Sequence, residues 1–205
     1  MSPRPYRLGK RQVEVEEARE RVIEAARTLF AESGFFGASL EDVAKRAGVA
    51  RATVYYQFES KFGLLDATIG STLARASSDA LRRTREHADA AKAVAMYPRA
   101  VAEFWASEYA FFHNIIGFAA VNPELAKVEE PYNARRKELI SWLVKRLEDQ
   151  GKLRGGVSPK QAVDTLWLLT SFQSYEQLHL RSGLSPRAVG ATLSDIAVAA
   201  LLAPN

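Results

Sequence analysis

Residues 39 to 61, SLEDVAKRAGVARATVYYQFESK, constrain this chain more than any other stretch. Ser39 followed three residues on by Asp42 is a capping-box spacing, which starts a helix at Leu40. Val43, Ala44 and Ala47 recur three and four apart and give that helix one apolar face. Gly48 falls where the helix must stop, because glycine takes the left-handed conformation without a steric cost. A second short helix follows from about Arg51 to Gln57, and a third begins after Ser60. Two short helices joined by a tight turn leave little choice of fold, since each must lean on a larger helical neighbour.

Rotation by about 100° per residue sorts the side chains of the second helix. Val54 and Phe58 share the face that points to a core. Ala52, Thr53 and Tyr56 lie opposite, flanked by Arg51 and Tyr55 on one side and Gln57 on the other. A cation, a hydroxyl, two phenols and an amide around a small Ala52 suit a helix entering the DNA major groove. Arg51 fits a guanine, Thr53 or a tyrosine fits a thymine methyl, and phenol and amide fit phosphates. Ser39, Tyr56, Gln57 and Lys61 are the phosphate candidates. A helix pair buried inside a protein would instead carry apolar groups at 51, 53, 56 and 57.

The run from residue 22 to 65, VIEAARTLFAESGFFGASLEDVAKRAGVARATVYYQFESKFGLL, resembles the DNA-binding domain of the TetR (tetracycline-repressor-like) family of bacterial regulators. Ala25-Ala26, Leu29-Phe30, Gly34-Phe35, Ala47-Gly48-Val49, Thr53-Val54-Tyr55-Tyr56-Gln57-Phe58 and Ser60-Lys61 carry the likeness at fixed spacing. It covers about a quarter of the chain. Ala50 departs from the family's usual serine cap, at a cost of about 1 kcal/mol. Phe62-Gly63 replaces the acidic residues common at the start of the next helix. The resemblance implies a ligand-responsive regulator, a homodimer through a four-helix bundle of the last two helices, and an effector pocket in the C-terminal part.

Composition narrows the rest. The chain has 205 residues, no cysteine and a formal net charge of +4. It therefore lacks disulfides, thiolate nucleophiles and zinc-thiolate sites, and any nucleic-acid contact must come from a local patch. No Ser-His-Asp spacing, phosphate loop or histidine pair at metal spacing occurs, so no catalytic residue, metal or cofactor is expected. His87 reads as solvated, whereas His113 and His179 sit in apolar stretches, as satisfied core histidines or as groups that bond a ligand. MSPRPYRLGKRQ lacks the apolar segment of a signal peptide, and the eight apolar residues 196–203 cannot span a bilayer. A cytoplasmic protein without membrane contact is the expectation.

In chain order, residues 1–13 hold Arg4, Arg7, Lys10 and Arg11 without an acidic residue, as either a mobile basic arm on DNA or a solvated tail would. A helix from Val15 to Ser33 buries Val22, Ala25, Ala26, Leu29 and Phe30, and Phe35 plugs the core beneath the short helices. The helix after Ser60 carries Phe62, Leu65, Ile69 and Leu73 inward and fades near Arg85. Residues 97–121 form an aromatic helix with Pro98 in its first turn or at a kink. The next helix, to Gln150, turns Leu139, Ile140, Leu143 and Leu147 inward and Arg135, Arg136, Lys145 and Arg146 outward. Ser158-Pro159-Lys160-Gln161 opens a helix over 159–182 that is apolar nearly all round, and Ser185-Pro186 opens the last. Gly190, Ala191 and Ser194 would let another helix approach closely. Phe104, Trp105, Glu108, Tyr109, Phe112, His113, Trp142, Trp167, Gln173 and Gln177 mix large apolar surfaces with a few polar groups, as a pocket for a partly apolar effector needs.

The expected fold is all-α, with about nine helices. A three-helix helix-turn-helix head over 1–61 sits on an antiparallel helical domain over 62–205 for ligand binding and dimerisation. Arg51, Ala52, Thr53, Tyr55, Tyr56, Gln57, Ser39 and Lys61 contact operator DNA. The expected activity is that of a one-component repressor released from double-stranded operator DNA by a small molecule. The alternatives are a DNA-binding dimer without small-molecule control, and a helical ligand carrier or enzyme.

Overall fold

The computed structural model describes residues 6–75, 79–119 and 121–204, with side chains from Gln12 onward. The described chain is all-α, with α1 (Tyr6–Gly37), α2 (Leu40–Ala47), α3 (Arg51–Phe58), α4 (Lys61–Arg75), α5 (Asp79–Glu86), α6 (Ala90–Ser107), α7 (Tyr109–Ala119), α8 (Pro123–Asp149), α9 (Pro159–Leu169), α10 (Phe172–Glu176), a π turn (Gln177–Arg181) and α11 (Pro186–Leu201). An isolated antiparallel bridge joins Leu153 to Leu202. The chain divides into two compact units, residues 1–74 with 110–129, and residues 75–109 with 130–205.

In the first unit the short helices form as their caps dictate. Ser39 Oγ accepts from the Asp42 N–H, and the Asp42 carboxylate accepts from Ser39 in return, which holds its carboxyl below the usual range. Gly48 ends α2 at φ 66°. Val22, Ala26 and Phe30 of α1, Val43 of α2, Val54 of α3, Leu64 and Leu65 of α4 and Phe111 and Ile115 of α7 are buried. Phe35 is 2% exposed, with ring centroids 5.6 Å from Phe30 and 4.9 Å from Phe62, so it plugs the core as its sequence position suggests. Gly34 leaves the helical path at φ 71°. The backbone is already helical from Tyr6, where sequence suggested a mobile arm, and the side chains of Arg4, Arg7, Lys10 and Arg11 lie outside the described residues.

The link from α3 to α4 consists of Glu59 and Ser60 alone. Glu59 adopts φ 63°, ψ −40°, the sole positive φ among described non-glycine residues. The Ser60 N–H bonds the Phe58 carbonyl at 2.6 Å across it, which makes a positive-φ γ-turn, a rare and strained form. The same carbonyl oxygen then presses into the first turn of α4, where a Cβ on Gly63 would overlap it. Gly63 weakens helix propensity, yet only a residue without a side chain fits here.

In the second unit α6 and α11 pack along a seam of small residues. A Cβ on Gly190 would stand 3.1 Å from Arg99 Cα, and Ser194 Oγ donates to the Ala95 carbonyl at 2.7 Å. The close approach expected at Gly190 and Ser194 is thus made by a helix of the same chain. Asp89 caps α6, so Pro98 falls mid-helix, not in the first turn. The Lys152 ammonium, 2.8 Å from Asp89, holds that carboxyl at about 2.

Two expected helices prove interrupted. The aromatic helix over 97–121 breaks at Glu108, which ends α6. The helix over 159–182 breaks at Thr170-Ser171 and finishes as a π turn. Ser171 supplies the reason, since its side chain accepts from the Ser174 N–H and starts a new helix. The helix expected after Ser60 is described as α4 up to Arg75 and as α5 from Asp79.

Two measurements check this account. Gly63→Ala should cost about 1–3 kcal/mol by overpacking against Phe58, whereas Gly117→Ala, where a Cβ meets open space in α7, should gain up to about 1 kcal/mol in thermal melts. Glu129 has a buried Oε1 without a hydrogen-bond partner, and burial raises its pKa from 4.5 to about 7. Between those values the folded chain binds more protons than the unfolded one, so its stability falls as pH rises through the window. Glu129→Gln should therefore raise the melting temperature at about pH 8 and much less at about pH 5.

Candidate nucleic-acid interface and buried polar node

The first candidate site is the outer face of α3. Its rotation is fixed by Val54 and Phe58, which are 0% and 6% exposed, and by the Arg19 guanidinium 4.6 Å above the Phe58 ring. Tyr56 is consequently 89% exposed and Tyr55 61%. Arg51 and Ala52 are exposed, and Thr53 and Gln57 are half-buried. Ala50 provides no side-chain cap. The first N–H groups of α3 are left for water or a phosphate, at the positive end of the helix dipole.

The phosphate candidates divide. Gln57 Oε1 is buried without a hydrogen-bond partner, so that end of its amide faces inward. The Ser39 hydroxyl is exposed but already exchanges hydrogen bonds with Asp42. Lys61 Nζ lies 4.5 Å from the centroid of the Phe35 ring, and burial pushes its pKa down. To reach a phosphate Lys61 must leave that ring.

The second candidate site lies around the helix break in the second unit. Where α9 stops, its last carbonyls lose their helical donors and take others. The Ser171 N–H bonds Leu168, not Trp167, and the freed Trp167 carbonyl accepts from Arg136 Nη2 at 2.6 Å. The Thr170 carbonyl accepts from Trp105 Nε1 at 3.1 Å. Arg136 Nη2 also donates to Thr170 Oγ1 at 2.9 Å, and the buried Tyr97 phenol lies beside both residues. The guanidinium stacks 4.1 Å from the Trp167 ring.

Arg136 is thus an inward residue, which corrects its expected place on the outer face of α8. Its Nε is fully buried and has no hydrogen-bond partner. Among the described residues no carboxylate pairs with it, and burial lowers its pKa. Guanidinium remains charged even so. A buried cation without a counter-ion is costly, and the partial charge at the C-terminal end of α9 offsets only some of that cost.

An aromatic cluster adjoins the node. Trp105 meets Phe104 at 4.7 Å and Phe172 at 5.3 Å. Phe172 stacks on Tyr109 at 5.6 Å, and Tyr175 meets His179 at 5.3 Å. The Tyr109 hydroxyl donates to Glu176 Oε1 at 3.0 Å, and burial with that carboxylate pushes its pKa to about 12.

Of the expected pocket residues, Phe104, Trp105 and Tyr109 join this cluster and Trp167 joins the node. Glu108 is half-buried at the end of α6. Gln173 and Gln177 are exposed, so these amides do not face the cluster. Trp142 is 44% exposed, with the Arg146 guanidinium 4.7 Å from its ring. It lines a surface groove of about 610 Å³ with Leu81, Arg82, Arg85, Glu86 and Leu139. Phe112 and His113 belong to the first unit, where Phe112 is buried against Phe111 and His113 is exposed. Phe172, Tyr175, Glu176 and Arg136 were missed. The Thr170-Ser171…Ser174 cap pattern, set in an apolar run, was the signal for the break that gathers them.

Comparison with known proteins bears on the first site. Residues 22–68 match the family described as bacterial regulatory proteins, tetR family. Over 62 residues the chain is 40% identical to the HTH-type transcriptional regulator SrpR of Pseudomonas putida, a match covering 30% of this chain and 29% of that protein. The chain thus spans less than a third of that relative's length, and 46% of a second from the same species, TtgW. Similarity of fold reaches further. The transcriptional regulator FadR of Bacillus subtilis, in complex with stearoyl-CoA, superposes with a TM-score of 0.76 at 16% identity, over 88% of this chain and 98% of that one. A transcriptional regulator from Saccharomonospora viridis in complex with choline gives 0.73 at 20% identity, over 92% and 100%. Segment 22–68 thus carries the likeness to the tetR family of bacterial regulatory proteins, and the described chain shares its fold with those solved structures.

Proposed function

We propose that the chain is a one-component regulator of transcription that binds operator DNA through α3 and releases it when a small molecule occupies the C-terminal domain. The observation that carries the DNA reading is the outer face of α3, where Arg51, Tyr55 and Tyr56 stand exposed beside an uncapped helix start. Arg51 grips a guanine, Ala52 permits close approach, and Thr53, Tyr55, Tyr56 and Gln57 meet the thymine methyl and flanking phosphates. Residues 1–61 act as the head, and residues 62–205 hold the effector and the dimer contact.

Support for the effector comes from the polar node and aromatic cluster, and from two relatives of like fold that hold small molecules. Support for a homodimer comes from Leu168, Leu180 and Ile196, which are 65%, 55% and 46% exposed on α9, the π turn and α11. Such apolar side chains on the last helices suit a two-fold partner. In this reading the effector favours a dimer whose two α3 helices no longer match successive major grooves, about 34 Å apart. The protein works as a repressor in the cytoplasm, without an enzymatic step. No described helix is long and apolar enough to cross a membrane. A DNA-binding dimer without small-molecule control is the second reading.

Footprinting on the DNA flanking its own gene, followed by titration of that site, tests the assignment. Arg51→Ala should cost about 1–3 kcal/mol on the specific site and relax one base position. Unchanged affinity and base preference would remove Arg51 from the interface. Lys61→Ala should weaken all sequences alike and lower the salt slope by about one, while Ser39→Ala should lower the melting temperature through its lost cap.

A further inference from the structure

We propose that Arg136 is the anion-receiving residue of the effector site, and that the effector is a monocarboxylic acid on an apolar body. This inference rests on the reading of the C-terminal domain as an effector domain, and it names the chemical class of ligand. A simple brace accounts for Nη2, which holds the Trp167 carbonyl and Thr170 Oγ1 and so closes the end of α9. It does not account for Nε, which is buried and has no partner. Nor does it need a permanent positive charge, since a neutral amide donates to a carbonyl as well.

A guanidinium is the side chain of choice for holding a carboxylate. Here it is set among neutral partners, the Tyr97 hydroxyl, Thr170 and the Trp167 ring. One uncompensated cation matches one negative charge, whereas a phosphate dianion would need a second cation. The wall next to it is apolar, because Trp105 is bonded to Thr170 and packs on Phe172. A carboxylate oxygen accepting from Nε would supply the missing partner, and the aromatic wall would take the hydrocarbon part.

Matched acids and amides test this on the full chain. Octanoate and 4-phenylbutyrate are titrated calorimetrically beside octanamide and 4-phenylbutanamide. At least one acid should bind, and its amide should bind about tenfold more weakly or worse, as expected for losing a charge-assisted hydrogen bond. Arg136→Lys keeps a cation for the Trp167 carbonyl but lacks Nε, so it should weaken the acid about tenfold and leave the amide unchanged. Equal binding of acid and amide, an unaffected Arg136→Lys protein, or no binding by either acid overturns the proposal. If Arg136→Lys melts early, the acid–amide comparison on the native chain decides alone. Fluorescence anisotropy of the footprinted duplex separates the two readings. An acid that binds without releasing DNA overturns effector control and leaves the anion site standing. Release by the amides as readily as by the acids overturns the anion site and leaves effector control.

Discussion

An eight-residue helix makes about two turns and is marginal in water, so α3 must be held by its neighbours. The DNA contact proposed for this chain depends on that hold. Phe58 and Val54 anchor it, Phe58 through a buried ring beneath the Arg19 guanidinium and a backbone carbonyl lodged against the first turn of α4. The strained turn at Glu59 is tolerated because both flanking helices fix it. With α3 anchored from behind, its front can remain polar, uncapped and unpacked, which an isolated helix of this length could not sustain.

The second unit solves a different problem. A helix that stops inside a protein leaves carbonyls that must find donors. At the end of α9 the donors are an indole, a guanidinium and a serine hydroxyl from three separate segments. The break therefore gathers polar groups into an apolar interior without leaving the backbone unsatisfied. Interruption of a helix and formation of a polar node are the same event, and a continuous α9 would bring neither Trp105 nor Arg136 to that point.

Local signals made the first unit legible in the sequence. The Ser39–Asp42 box, Gly48 and the Val54–Phe58 pair fix caps and rotation within a few residues, and the structure follows them. The strain at Glu59 and the reason for Gly63 were not legible, because both depend on where one carbonyl points. The second unit was harder to read for a related reason. Hydrophobic periodicity ran straight through Thr170-Ser171, so the break was hidden. Arg136 read as surface because charge suggests solvent, and its carbonyl acceptors exist only after α9 has broken. Gln173 and Gln177 erred in the opposite direction, since each amide was assigned inward on an unbroken helix whose rotation the break resets.

The three tryptophans occupy distinct surroundings. Trp142 stands on the surface beside the Arg146 guanidinium, Trp105 is buried with its indole N–H bonded to a carbonyl, and Trp167 lies under a second guanidinium. Indole emission follows local polarity and nearby charge, so the three should emit as separate populations. Replacing Trp142 with phenylalanine would leave the light to the two indoles at the helix break. The chain thus carries its own optical reporter in its interior, without any added dye.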